Sequence, residues 1–475
     1  MSLIRKGRCC LVVLLTAGFV VPVVYGRLDH IVESVKQSIA QADREFDESK
    51  EGTEHNRLSN ANTRVRAKQA LPNASAEPNT PAARVEVIQG GESHLPARKC
   101  RKMIVGPWIN QPDPFEGYGG FVGWETPVRL RNGKMYVSFS AGYWHGSPPT
   151  PLTSSFIETL RRYEYPTDFS APRGGRAMIC ESTDNGVTWS KPRTLLDTPC
   201  DDRHPAITEL SNGILICSLF TYCGRNRQED KTVTDPAEIE GIAIVRSLDG
   251  GRTWQTGPQP VPPALAGYRT DGPAIELADK SVLLSGYGKS KASSRWITGV
   301  FKSADSGLTW RALSTIEANY SMEEPAMVRL KDGRLVMITR PEGAITWSSD
   351  SGRTWTPPAT FGFRMYAPAL IVLDDATLLC HFGSYTKEHG GLRAIFSTDG
   401  GKTWLAPAKD YGFLIDQSYG YSRSCIMPDG SAYLAYIGTG GHRRKDAQNN
   451  MIWSIRLRVR TDHSGIELLP VDNGP

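Results

Sequence analysis

Arginine, carboxylate, histidine and tyrosine side chains recur just before six β-rich segments of this chain. They are Glu125, Arg203 with His204, Arg269 with Asp271, Glu323 with Glu324, Arg364 with Tyr366, and Tyr421 with Arg423. Guanidinium groups bind carboxylates through paired hydrogen bonds. A carboxylate next to a tyrosine can accept its phenolic proton and turn the oxygen into a nucleophile. If the fold brings these segments together, they predict a functional pocket.

The segments that follow these residues share one pattern: a β-rich run, a turn containing Asn or Asp, and a second β-rich run. The copies span residues 127–139, 205–220, 273–287, 325–340, 368–382 and 424–436. Asn-Gly and Asp-Gly between β-rich runs favour tight hairpins, because both residues tolerate a positive φ. The pattern predicts six hairpins.

A shorter phrase, Ser-x-Asp-x-Gly-x-Thr-Trp, occurs five times, at residues 182–189, 247–254, 303–310, 348–355 and 397–404. Its Asp can accept backbone N–H groups across a tight turn, and its Gly permits a positive φ. A catalytic carboxylate is needed once or twice, not five times at regular intervals. The phrase therefore predicts a structural turn between the third and fourth strands of each repeat.

Repeats of roughly 60 residues with four strands each are typical of a β-propeller. The sequence predicts an all-β, six-bladed propeller of four-stranded antiparallel blades over residues 99–465, with 102–106 completing the last blade and closing the ring. In such a ring the innermost strands begin at the same end of the central channel. The six polar sites are therefore expected to converge there.

The N-terminal quarter of the chain has a different composition. Basic residues precede an apolar run within residues 1–26, which predicts a secretory signal or, if it is not cleaved, a membrane anchor. Residues 27–98 predict a flexible or partly helical linker. We therefore expect a secreted, periplasmic or extracellular protein that is monomeric and meets a membrane only if the first segment is retained.

Charge and cysteine content exclude some classes of partner. The formal net charge of +5 over 475 residues gives no indication of nucleic-acid binding. No spacing of Cys and His predicts a metal site, and no cofactor is expected. Cys200, Cys217 and Cys223 lie close enough in sequence for one disulfide.

The five phrases resemble the Asp boxes (BNR repeats) of the sialidase, or neuraminidase, superfamily, whose members are six-bladed propellers. The resemblance covers about residues 101–463. It implies a substrate carboxylate held by three arginines, a Tyr nucleophile activated by a Glu, and an Asp as general acid/base. Asp boxes also occur in lyases and in non-enzymatic binding proteins, so they indicate the fold more firmly than the activity.

Three segments match the family's catalytic stretches. The segment "MEEPAMVRLKDGRLVMITR" places the activating Glu at Glu324 and a carboxylate-binding Arg at Arg340. The segment "YGYSRSC" places the nucleophile at Tyr421, with Tyr419 as its competitor. The loop "YEYPTDFSAPRGG" contains one Asp, which makes Asp168 the candidate general acid.

Two positions depart from the family pattern. Glu125 stands where the family has an Arg, and His389 lies near the position of the third Arg. The remaining candidates for substrate binding are Arg203, Arg269, Arg364 and Arg423, with Glu125 beside them, and Arg393 is a further substitute for the third Arg.

The pattern favours a secreted exo-glycoside hydrolase that removes a terminal acidic sugar of the sialic acid type and retains anomeric configuration. An acidic glycan or glycoconjugate is then the expected partner. Two alternatives remain open. One is a polysaccharide lyase acting on uronic acids, with Tyr421 and His204 or His389 in acid/base roles. The other is a non-catalytic glycan-binding propeller.

Overall fold

The computed structural model describes residues 15–16, 19–20, 83–91, 99–223, 240–262, 266–290, 295–407, 410–418, 420–438 and 450–472. The chain forms two units, Met1–Thr80 and Pro81–Pro475. In the first, strands β1 (Leu15–Thr16) and β2 (Phe19–Val20) pair antiparallel. The rest of the expected signal, the linker as far as residue 82, and Tyr419 lie outside the described residues. Within the described part of the chain, no helix is long and apolar enough to span a membrane.

Six antiparallel sheets form the blades of a propeller in the second unit, which confirms the predicted fold class. The first blade contains β5 (Phe121–Arg129), β6 (Met135–Gly142), β7 (Arg176–Ser182) and β8 (Arg193–Leu196). The second contains β9 (Asp201–Glu209), β10 (Leu215–Tyr222), β11 (Gly241–Ser247) and β12 (Gln259–Pro260). The third contains β13 (Ala266–Arg269), β14 (Ile275–Glu276), β15 (Val282–Lys289), β16 (Trp296–Ser303) and β17 (Arg311–Ile316).

The other three blades follow the same order of strands. The fourth contains β18 (Met322–Arg329), β19 (Leu335–Pro341), β20 (Ala344–Ser348) and β21 (Ala359–Thr360). The fifth contains β22 (Tyr366–Val372), β23 (Leu378–Ser384), β24 (Gly391–Ser397), β25 (Thr403–Pro407) and β26 (Phe413–Asp416). The sixth contains β27 (Ser422–Ile426), β28 (Ala432–Ile437), β29 (Ile452–Val459) and β30 (Ile466–Leu469).

Two N-terminal strands complete blades far away in sequence. Strand β4 (Lys102–Val105) pairs antiparallel with β29, so the predicted closure of the ring is confirmed. Strand β3 (Glu86–Gly91) pairs in parallel with β25, although residues 27–98 were expected to be linker. Val85 and Val87 alternate toward the core of the fifth blade, and this short apolar period is what fixes the segment to the sheet.

The propeller also extends beyond the predicted boundary at residue 465. Strand β30 forms the outer edge of the last blade, and Ile466 is fully buried against β29. The sixth blade lacks the Ser-x-Asp phrase, and its fourth strand is therefore harder to recognise in the sequence.

Six hydrophobic clusters lie between neighbouring blades, one for each pair. A seventh lies under the segment that joins β6 to β7 and includes Trp144, Leu160 and Tyr165. Helix α1 (Ser154–Arg162) lies in this segment, and its N-cap residue Thr153 accepts a hydrogen bond from the Phe156 backbone N–H. Because Trp144 is almost fully buried, the segment forms a packed wall rather than an open lid.

The five Asp boxes form closely similar turns, as their sequence predicts. In the fourth blade, Asp350 accepts hydrogen bonds from the Thr354 backbone N–H at 2.9 Å and the Thr354 hydroxyl at 2.6 Å. Gly352 has a φ of 82°, which a glycine adopts without strain. Trp355 Nε1 donates to the Gly352 carbonyl at 3.2 Å. The box is therefore a hydrogen-bonded turn whose Asp is held by other residues of the same phrase.

Candidate active site

The inner strands of four blades carry the same backbone irregularity where the polar residues lie. Two residues of the inner strand oppose one residue of its neighbour in the first, second, fourth and fifth blades. The first residue of each pair has a left-handed φ: 54° at Trp124, 54° at His204, 45° at Glu324 and 43° at Ala367. Such bulges redirect side chains, and left-handed backbone at a residue other than glycine is strained and clusters at functional sites.

The register of the strand pairs corrects one inference from the sequence, the position assigned to Glu125. Trp124, rather than Glu125, occupies the position that His204 and Glu324 hold in their blades. Glu125 falls one residue later, where the other blades have proline. Pro127 of "WETP" therefore lies two positions further along than the Pro of the second, fourth and fifth blades.

Tyr421, Glu324 and Arg340 form one hydrogen-bonded group. The Tyr421 hydroxyl donates to Glu324 Oε1 at 2.8 Å, and Arg340 Nη2 lies 3.1 Å from the same oxygen. Arg340 also contacts Glu323 at 3.3 Å. Burial raises the pKa of Glu324 above its ordinary value, although Arg340 and the bond from Tyr421 oppose this. The phenol therefore has a proton acceptor of increased basicity in direct contact.

A second group joins His204, Asp271 and Arg423 from three different blades. His204 Nδ1 lies 2.8 Å from Asp271 Oδ1, and Arg423 Nη2 lies 2.7 Å from Asp271 Oδ2. Burial opposes ionisation of Asp271, but Arg423 and His204 outweigh it and lower the pKa. Burial lowers the pKa of His204 to about 4, against the attraction of Asp271. The resting pair is therefore a carboxylate and a neutral imidazole whose Nδ1–H donates to Asp271.

The two groups meet around Tyr421. The rings of His204 and Tyr421 are perpendicular, with centroids 6.3 Å apart. Trp124 stacks on His204 at 4.8 Å, and the Arg203 guanidinium lies 4.4 Å from the centre of the Trp124 ring. One continuous buried cluster thus links the first, second, third, fourth and sixth blades.

The wall between β6 and β7 holds the second blade's residues in place. Asp201 accepts from the Ser147 backbone N–H at 2.6 Å, and Arg203 Nη2 donates to the His145 carbonyl at 2.7 Å. A Cβ at Gly174 would lie 2.4 Å from the Asp201 nitrogen, so only glycine permits this approach. A disulfide between Cys200 and Cys223 ties the ends of β9 and β10 together at the same place, which decides the pairing.

Arg269 differs from the other guanidinium groups of the cluster. Arg203, Arg340 and Arg423 each form an ion pair with a carboxylate. Arg269 is half-buried near the rings of Tyr222, at 5.9 Å, and Trp296, at 5.5 Å. Within the described parts of the chain it has no hydrogen bond or ion pair. Its donors are therefore available to an anionic ligand.

Glu125 lies inside the cluster without a hydrogen-bond partner for either carboxyl oxygen among the described residues. Its side chain is enclosed, with 1% of the residue exposed. Burial raises its pKa well above the ordinary value, despite the neighbouring Arg423. Burial therefore favours the uncharged form of the Glu125 carboxyl.

The structure brings together most of the predicted site residues: Tyr421, Glu324, Arg340, Arg203, Arg269, Arg423 and Glu125. It leaves two of them outside. Asp168 is exposed in the loop after α1, and no hydrogen bond or ion pair connects it to the cluster, so its role as general acid stays a prediction. Arg364 is exposed and lies 5.7 Å from the ring of Tyr366.

The residues near the position of the family's third arginine form a separate cluster. His389 Nδ1 lies 2.8 Å from Asp410, and Arg393 lies 2.6 Å from the other oxygen of the same carboxylate. Arg393 also donates to the Gly412 carbonyl at 2.8 Å. These bonds hold the loop of the fifth blade, and they occupy the guanidinium that was the expected substitute.

Sequence reasoning missed Tyr287, which is buried against the site. Its pKa is raised, first by burial and then by the nearby Glu324. Tyr287 lies opposite Arg269 at the end of the second strand, as Arg340 lies opposite Glu323. The ends of the second strands were therefore the signal that could have revealed it.

Comparison with known proteins agrees with this architecture. Residues 204–434 match the family model described as a BNR repeat-like domain. The fold is that of a sialidase-like BNR-repeat propeller. A search of curated proteins finds no match.

Solved structures with the same fold are distant in sequence. A protein of unknown function from Dyadobacter fermentans is 17% identical, with 80% of this chain and 100% of that chain covered and a TM-score of 0.58. The Hadza microbial sialidase Hz136 is 19% identical, with 71% and 65% covered and a TM-score of 0.54. The intramolecular trans-sialidase from Ruminococcus gnavus is 14% identical, with 75% and 98% covered and a TM-score of 0.52.

Proposed function

We propose that this BNR-repeat propeller is a retaining exo-glycoside hydrolase that removes a terminal acidic sugar of the sialic acid type. The observation that carries the proposal is the buried contact between the Tyr421 hydroxyl and Glu324, 2.8 Å apart. Glycoside hydrolases that retain configuration need a nucleophile and a proton-transfer group, and sialidases use a tyrosine as nucleophile.

The contact has the chemistry of an activated nucleophile. Glu324 accepts the phenolic proton as the Tyr421 oxygen attacks the anomeric carbon, since its pKa is raised by burial. Arg340 forms an ion pair with the same carboxylate oxygen and limits the increase in the pKa of Glu324. A neutral phenol also approaches an acidic sugar without the repulsion that a carboxylate nucleophile would meet.

Arg269 supports an acidic substrate. It is the guanidinium of the cluster whose donors are not paired with a carboxylate within the described residues, and aromatic rings flank it. A sugar carboxylate bound there would receive charge-assisted hydrogen bonds in a partly desolvated setting. Burial favours the uncharged form of Glu125, which adds no negative charge to repel it.

The test is hydrolysis of a fluorogenic aryl α-sialoside and of sialyllactose by the purified protein. Free sugar should be released, and Tyr421→Phe should lower the rate by about 10³-fold or more, because it removes the nucleophilic oxygen. Tyr411→Phe is the matched control, since Tyr411 stacks on Phe363 in the fifth blade, and it should keep the activity.

Two other results would replace the proposal. An unsaturated uronate product from a uronic-acid polysaccharide would show a lyase. Glycan binding with no turnover of either sialoside would show a binding protein.

A further inference from the structure

The hydrolase described above needs a group that protonates the leaving oxygen and later deprotonates water. Asp168, the residue that the family pattern offers, is exposed, and no hydrogen bond or ion pair joins it to the buried cluster among the described residues. We propose that His204, oriented by Asp271, is the proton-transfer residue of this site. The inference rests on the proposed hydrolase function and adds a second catalytic residue to it.

The position of His204 is the first support. It occupies the same bulge of the second blade that Glu324 occupies in the fourth, with a similar left-handed φ of 54°. Its ring is perpendicular to that of Tyr421, at 6.3 Å between centroids. The imidazole therefore lies next to the ring of the proposed nucleophile.

The hydrogen bonds of His204 are the second support. Asp271 holds Nδ1, and Arg423 fixes Asp271 from the other side at 2.7 Å. Nε2 has no hydrogen-bond partner among the described residues, so it is the nitrogen available to substrate. A carboxylate on one imidazole nitrogen fixes the tautomer and stabilises the imidazolium that forms during proton transfer.

The buried carboxyls nearby are less suited to the role. Both oxygens of Asp202 are held by Thr198, each at 2.7 Å. Asp201 is held by Ser147 and Arg203. Both Glu125 oxygens are enclosed, so a substrate oxygen has no route to them.

Protons balance over the two steps. His204 enters the first step as the imidazolium, having taken a proton from solvent on Nε2, because the resting imidazole carries its one proton on Nδ1. The Tyr421 oxygen then bonds to the anomeric carbon, the glycosidic C–O bond breaks, the phenolic proton goes to Glu324, and His204 Nε2–H protonates the leaving oxygen. In the second, water bonds to the anomeric carbon, its proton goes to His204, and the Tyr421 oxygen leaves and recovers the proton from Glu324. Free sugar is released and both residues return to their starting states.

The test compares His204→Gln with wild type on two leaving groups. Sialyllactose has a poor leaving group, so its kcat/KM should fall by about 10³-fold, within the usual range for general acid catalysis. An aryl sialoside needs no protonation of its leaving group, so its kcat/KM should fall less than about 10-fold. Its kcat should fall because the second step loses its base, and added azide should restore kcat and yield the glycosyl azide.

Two controls separate catalysis from structure. His389→Gln changes another His–Asp pair, in the fifth blade, and should leave the ratio of the two substrates unchanged. Asp271→Asn should shift the ratio in the same direction by a smaller factor, since Asp271 positions the imidazole. The ratio does not depend on how much protein folds, so it is informative even for a poorly folding variant.

The pH profile gives an independent readout. The charged groups facing His204 are Asp271, Arg203 and Arg423. Because the protonated imidazole is the acid and burial lowers its pKa to about 4, wild type should lose kcat/KM for sialyllactose as pH rises above that value, and His204→Gln with the aryl substrate should not.

Equal losses on both substrates with no effect of azide would overturn the role of His204 while leaving the hydrolase intact. Release of no free sugar by wild type from either substrate would overturn the hydrolase and this inference together.

Discussion

The two ends of each blade place carboxyl groups in different surroundings, and the pKa values of these groups differ accordingly. At the Asp-box end, the pKa of all five aspartates, Asp184, Asp249, Asp305, Asp350 and Asp399, is lowered. At the inner-strand end, burial raises the pKa of Glu125, Asp201, Asp202 and Glu324, whereas Arg423 and His204 lower that of Asp271. The boxes surround an exposed carboxylate with N–H and O–H donors. The inner strands enclose carboxyls that have fewer donors, and this makes them useful as proton acceptors or neutral acids.

The comparison separates structure from chemistry. The boxes are nearly identical because each must form the same turn. The bulges at the other end place a Trp, a His and a Glu at one equivalent position, Trp124, His204 and Glu324. The positions where the repeats carry different side chains therefore identify the candidate site. The positions where the repeats carry the same side chains identify the structural framework.

The largest expected effect is at Glu324. Glu324→Gln keeps a hydrogen-bond acceptor for Tyr421 but removes the proton acceptor, so kcat on sialosides should fall by about 10³-fold with little change in thermal stability. Steady-state kinetics and a melting curve check this. Glu342→Gln, outside the cluster, is the control. Full activity in Glu324→Gln would contradict the proposed activation of Tyr421.

A smaller effect is expected at Arg269. Arg269→Ala should raise KM for an acidic sugar by about 10- to 100-fold and leave kcat nearly unchanged, because a charge-assisted bond to bound substrate is lost in both ground and transition states. Arg364→Ala removes an exposed guanidinium and is the matched control. An unchanged KM in Arg269→Ala would assign the substrate carboxylate to another residue.

The reverse pattern is expected at the Asp boxes. Asp350→Ala should lower the free energy of unfolding by about 1–2 kcal/mol through the lost bonds to Thr354, with kinetic constants unchanged. Chemical denaturation and kinetics on the same preparation measure both. Asp399→Ala in the next blade should behave alike, and a loss of turnover by the folded variant would contradict the structural role.

The smallest effect is in the dependence of stability on pH. Burial opposes ionisation of Asp350, but its hydrogen bonds outweigh this and lower its pKa to about 2. A lowered pKa gives stability that is present above the ordinary value, near 4, and is lost as pH falls toward the folded value. Melting temperature should therefore drop between about pH 4 and pH 2.

The inner-strand end should produce the opposite trend. Burial raises the pKa of Asp201 to about 6 and that of Asp202 to about 8. A raised pKa gives stability that is present at low pH and is lost as pH rises through the folded value. Asp202→Asn should therefore flatten the decline between pH 6 and pH 8, and an unchanged decline would show that Asp202 is already ionised.

The sequence by itself determined the propeller, the closure of the ring and the role of the Asp boxes. The residues that favour tight turns and the alternation of apolar and polar residues in strands act over a few neighbouring positions. Each of the six copies therefore predicts the same hairpin. Strand β3 was not predicted because the alternating apolar residues that bind this segment to the core are only Val85 and Val87, in an otherwise polar stretch.

Only the tertiary structure decided which polar residues work together. The bond between Tyr421 and Glu324 spans 97 residues, and that from Arg423 to Asp271 spans 152. The bulge register that puts Trp124 rather than Glu125 beside His204 depends on strand pairing, and the available donors of Arg269 depend on which carboxylates reach its neighbours. These contacts join side chains on different blades, and a pattern that repeats within each blade does not predict them.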